Sequence, residues 1–107
     1  MKPQVFEEAI DVITKQLKEV LVRKQRQYGH GNILAFGKLG VMVRLSDKIN
    51  RIINLWKTNH EPEDESLVDS YVDIANYAIL WLMLHYKIFE LPLKEDEGKT
   101  TPQTQFA

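Results

Sequence analysis

Glu65, Asp69, Asp73 and Asn76 follow one another at steps of four, four and three. At about 100° per residue that spacing sets three carboxylates and an amide along one stripe of a helix. Like charges four apart cost about 0.2–0.5 kcal/mol in an isolated helix. Asp73 also sits among Val72, Ile74 and Ala75, where burying an unpaired carboxylate is expensive. A bound cation relieves both penalties. Upstream, Arg44, Asp47 and Arg51 stand at i, i+3 and i+7 with Lys48 adjacent, which makes Asp47 a candidate fourth carboxylate facing the stripe. Carboxylates from two facing helices suit magnesium, which takes an octahedral oxygen shell, keeps waters and bridges to substrate phosphates. Zinc is disfavoured, because His30, His60 and His85 are scattered without ligand spacing. They read as surface or loop histidines.

Charge is segregated along the chain. Between Lys15 and Arg51 stand nine basic residues (Lys15, Lys18, Arg23, Lys24, Arg26, Lys38, Arg44, Lys48 and Arg51) against Glu19 and Asp47 alone. Between Asn59 and Asp73 stand six acids and no base. Acidic and basic regions folded side by side supply what a metal-bound polyphosphate needs: carboxylates for the hard cation, guanidinium and ammonium groups for the remaining oxygens. The plainer alternative is mutual neutralisation by surface ion pairs, each individually weak. Asp69 has its own plain account as partner of Ser66 in a capping box, and Glu65 as a first-turn acid favoured by the helix dipole. Asp73 is too deep in the helix for either.

Three helices are needed to position these groups. From Pro3, the residues Phe6, Ile10, Ile13, Leu17, Val20 and Leu21 recur at steps of three and four, a single apolar stripe that fades near Tyr28. Tyr28 to Asn32, with two glycines and an asparagine, is stop-and-restart chemistry between helices. A second helix is expected from about Ile33 to Lys57 on Met42, Leu45, Ile49, Ile52 and Trp56. Gly37 and Gly40 each cost up to about 1 kcal/mol against Ala in a helix interior, which points to close packing, close ligand approach or a later helix start. An acidic connector from Thr58 to Glu65 contains Pro62, and a third helix runs from Ser66 to about Phe89. Between Ala75 and Leu84 apolar residues cover nearly its whole circumference, more than a three-helix monomer buries. The expectation is an all-α fold, a three-helix antiparallel core completed into a bundle by homo-oligomerisation, with one domain over residues 1–91 and a polar tail over 92–107.

Composition excludes other classes. At 107 residues the chain holds one domain. A formal charge of −1 is too balanced for a protein whose main partner is a nucleic-acid polymer or an anionic membrane. No cysteine is present, which removes disulfides, thiolate metal sites and cysteine nucleophiles. The longest wholly apolar run, Ala78 to Leu84, is seven residues against about 20 for a membrane span. With no basic-apolar leader, a cytoplasmic protein is expected.

Four blocks taken together, Lys24 to Gly29, Phe36 to Gly40, Arg44 to Arg51 and Asp69 to Ala78, resemble the phage-associated nucleotide modification associated domain. That domain looks like a compact branch of the MazG-like, all-α nucleoside triphosphate pyrophosphohydrolases, and the resemblance covers roughly Lys24 to Leu84. It implies a bundle completed by a second subunit, a homodimer or homotetramer, and magnesium-dependent hydrolysis of a nucleoside triphosphate to the monophosphate and pyrophosphate, with manganese as a substitute ion. MazG-like enzymes usually carry a Glu-x-x-Glu and a Glu-x-x-Asp pair. Here those positions fall on Arg44 and Asp47, and on Ser70 and Asp73, with Asp69 offset by one place from the usual Glu.

Of these, Asp47 and Asp73 carry over from the family pattern; with Asp69 from the same stripe they are the expected metal ligands, and Glu65 completes the shell or orients the attacking water. Lys24, Arg44, Lys48 and Arg51 hold the triphosphate. Tyr28 and Asn76 contact sugar or base and Phe36 stacks on the base; ordinary packing or loop capping accounts for these three equally well. The alternatives are a nucleotide-binding protein without catalysis and a purely structural helical oligomer. Base and sugar stay open.

Overall fold

The computed structural model describes residues 2–58 and 64–94, leaving aside the side chains of residues 64–66. It is helical, with four helices rather than the expected three: α1 (Phe6–Tyr28), α2 (Gly31–Leu34), α3 (Gly37–Lys57) and α4 (Asp64–His85). The extra element comes from a break in the expected second helix. Gly37 has a φ of 60°, a left-handed conformation that costs glycine little and other residues much. Gly40 serves a different need. A Cβ built there would lie 2.5 Å from the Phe36 Cβ, so the side chain that precedes α3 folds across its first turn. Close packing is thus the reason for Gly40.

α1 begins three residues after Pro3. Val5 is extended, and the Gln4 N–H donates to the Glu8 carboxylate at 2.7 Å, a first-turn acid satisfying an amide ahead of the helix. The helix ends as expected at Tyr28, with Gly29 at φ 75° donating its N–H to the Gln25 carbonyl. α4 ends four residues earlier than expected. Lys87 has a φ of 62°, and the N–H groups of Lys87 and Ile88 donate to the carbonyls of Leu84 and Met83. This is a Schellman closure with lysine in the place glycine usually takes.

Side-chain ties give the helix directions. Lys48 meets Asp73 and Arg51 meets Ser70, so α3 and α4 run antiparallel. Asn76 reaches the Leu17 carbonyl while Asp73 reaches Lys24, so α1 is antiparallel to α4 as well. The buried apolar core is Ile33, Val41, Leu80 and Phe89, with Leu21, Tyr77, Met83 and Leu84 packed against it. Phe89 comes from beyond the last helix. The chain then returns along α1, where the Arg26 guanidinium donates to the Lys94 carbonyl at 2.9 Å; residues 95–107 of the expected tail lie outside the described residues. Leu67–His85 has a mean hydropathy of 1.3 and is long and apolar enough to cross a membrane by length and composition. In the fold that stretch packs on α3 and carries Asp73 and Asn76.

Candidate functional site

A cavity of about 320 Å³ lies where α1, α3 and α4 meet beneath the α1–α2 link. α1 contributes Leu21, Lys24, Gln25 and Tyr28, and α3 contributes Arg44 and Lys48. α4 supplies Asp73, Asn76, Tyr77 and Leu80, while Gly29, Asn32 and Ile33 come from the link and α2. Their spacing explains the gathering: Lys24 lies three residues beyond Leu21, Lys48 lies four beyond Arg44, and Asp73, Asn76, Tyr77 and Leu80 share one face of α4.

Asp73 is the hub. Its side chain is 17% exposed, with Lys24 Nζ 2.9 Å from Oδ1 and Lys48 Nζ 2.9 Å from Oδ2. One carboxylate thereby joins three helices. Burial alone raises the Asp73 pKa, but hydrogen bonding and attraction from the Lys24 and Lys48 ammonium groups outweigh it and hold the carboxyl below its ordinary value. One turn further along, the buried Asn76 amide donates to the Leu17 carbonyl at 3.2 Å. The Asn76 Oδ1 is buried and has no hydrogen-bond partner among the described residues. The Arg44 guanidinium donates to Asn32 Oδ1 at 3.1 Å, which fixes one edge of this cation at the cavity wall.

Of the residues singled out in the sequence, Lys24, Tyr28, Arg44, Lys48, Asp73 and Asn76 come together in this cavity. Arg51 and Phe36 do not line it: Arg51 donates to the hydroxyl of buried Ser70 at 3.1 Å, and Phe36 is 73% exposed at the start of α3. Asp47 and Asp69 are exposed and also outside its lining. Glu65 falls in the first turn of α4, and its side chain lies outside the described residues. Sequence reasoning missed Asn32, Gln25 and Tyr77. The signal for Tyr77 is its place four residues after Asp73, and from sequence Asn32 reads only as turn chemistry.

The donor set bears on a metal. Both oxygens of Asp73 are taken by lysines, and no group of three or more histidine, aspartate or glutamate side chains stands close enough to hold an ion among the described residues. The lining suits an anion: three cations face one carboxylate around a half-open cavity, with Tyr28, Asn32 and Asn76 supplying further polar groups.

Residues 24–84, more than half of the chain, match the protein family described as nucleotide modification associated domain 1. No curated protein and no solved structure matches the chain.

Proposed function

The chain belongs to the nucleotide modification associated domain 1 family, and on that premise we propose that it binds a nucleoside triphosphate in the cavity and hydrolyses it to the monophosphate and pyrophosphate. In this reading it is a compact relative of the MazG-like pyrophosphohydrolases. One observation carries it: Lys24 from α1 and Lys48 from α3 converge on a single point of a cavity that Arg44 also lines. Held in place by Asp73 before any ligand arrives, the lysines lose less freedom on gripping a phosphate chain. Phosphate oxygens replace the Asp73 oxygens as their partners, and Arg44 adds planar paired donors.

The exchange changes Asp73. Relieved of its two ammonium partners, the carboxylate becomes a stronger base beside the phosphate chain, suited to take a proton from water. Water adds across the α–β anhydride: its oxygen bonds to phosphorus, the bridging P–O bond breaks, and pyrophosphate leaves with the bond's electron pair. Magnesium or manganese, when bound, would supply neutralisation of the charge on the phosphate chain.

Pyrophosphate release from a full panel of ribo- and deoxyribonucleoside triphosphates, with each ion, tests the reading. At least one nucleotide is expected to turn over, and Asp73→Asn to stop it in a protein that stays folded. No release above a protein-free control would sink the hydrolase. A second reading, sequestration of a nucleotide without chemistry, is favoured by the absence of a second carboxylate among the described residues of the cavity lining. Tight calorimetric binding with the ligand recovered unchanged would select it.

The proposed partner is a second copy of the chain, as homodimer or homotetramer. α1 has no buried residue, Phe6 is 76% exposed and Trp56 82% exposed, and apolar surface on this scale favours association. Light scattering that finds only monomer at working concentrations would reject it.

A further inference from the structure

A second cavity, of about 220 Å³, adjoins the first, and Leu21, Gln25 and Leu80 form a wall of both. The two differ in character. The first is cationic, whereas the second is lined by apolar side chains including Met83 and Phe89, with Gln25 and His30 as the only polar side chains among the described residues that line it. These two are paired with each other through the Gln25 amide nitrogen and His30 Nδ1, and each carries one further polar atom, His30 Nε2 and Gln25 Oε1. His30 in turn meets the Phe89 ring edge-on at 5.1 Å and 67°.

A cationic chamber and an apolar chamber sharing a wall match a molecule with an anionic chain at one end and a flat, weakly polar ring at the other. The geometry points to the second cavity as the seat of the nucleotide base, and its size to a pyrimidine. This rests on the reading of the first cavity as the phosphate site. An apolar cavity of roughly 150 Å³ takes one benzene ring. In proportion, the present volume of about 220 Å³ suits a substituted six-membered ring. The faces of such a ring meet Leu80 and Phe89, and its polar edge, which carries donors and acceptors together, meets His30 Nε2 and Gln25 Oε1.

The three methionines provide the probe, because Met83 lines the second cavity while Met42 is exposed on α3. The full chain with ¹³C-labelled methionine methyls is titrated with dCTP, dTTP, dATP, dGTP and tripolyphosphate, and the affinities are measured by calorimetry. The pyrimidine nucleotides are expected to shift the Met83 signal, leave Met42 unmoved and bind about tenfold tighter than tripolyphosphate or the purines. Tripolyphosphate is expected to compete without moving Met83. His30→Phe should lower pyrimidine affinity about tenfold and leave tripolyphosphate affinity unchanged. If nucleotides and tripolyphosphate bind alike with Met83 unmoved, the base site is wrong and the phosphate site stands. Purines binding as tightly as pyrimidines overturns the pyrimidine assignment. If nothing binds, this inference falls together with the reading beneath it.

Discussion

The two halves of α1 carry the same apolar period, yet among the described residues only the C-terminal half is tied to the rest of the chain. From Leu17 onward the helix gives a carbonyl to Asn76, an ammonium to Asp73, a guanidinium to Lys94 and the Leu21 side chain to the core. Before it, Phe6, Ile10, Val12 and Ile13 remain exposed. An apolar stripe states that a face is to be covered without naming the cover. In one half polar ties select the cover within the chain; in the other the proposed second copy supplies it. The half that carries Lys24 is therefore the half the fold fixes in place.

The largest effect that would sharpen this contrast is Leu80→Ala, which removes a buried side chain from the tied end and is expected to cost about 2–4 kcal/mol by urea unfolding. Ile13→Ala in the open half should cost under about 0.5 kcal/mol in the monomer; an equal loss at the two sites breaks the comparison. Asp73→Asn comes next, at about 1–3 kcal/mol, because it weakens two charge-assisted bonds at once. Its pH dependence has a definite sign. Folding lowers the Asp73 pKa, so its stabilisation is whole above the ordinary carboxylate value of about 4 and is lost as pH falls through the lowered value. Acid titration of stability should accordingly show a steeper fall in the parent than in the Asp73→Asn variant. Phe6→Ser should leave the unfolding midpoint of a monomer nearly unchanged and shift light scattering toward smaller species. Lys87→Gly should raise stability by up to about 1 kcal/mol by relieving the left-handed backbone at the α4 terminus.

The same contrast sets what the sequence made legible. Helix faces were readable, so Lys24, Arg44, Lys48, Asp73 and Asn76 were found from spacing and from the resemblance of their blocks. Where a face meets its neighbour was not. Asp69 shares the stripe with Asp73, but Asn76 opposes Leu17 and Asp73 opposes Lys24, so one turn further Asp69 has reached the end of α1, where the chain turns away at Gly29. Asp47 is the residue next to Lys48 and so points about 100° away from it; the pull of Asp73 turns the lysine inward and leaves the aspartate in water. Helix ends followed the same logic. Gly29 announced the end of α1, whereas the end of α4 at a left-handed lysine carries no residue-type marker.

Phe89, one of the four buried apolar residues among those described, belongs to the segment that follows the last helix. The interior is therefore finished by a residue outside every helix, and a chain cut after His85 would keep all four rods while leaving Ile33, Val41 and Leu80 without the ring that closes over them.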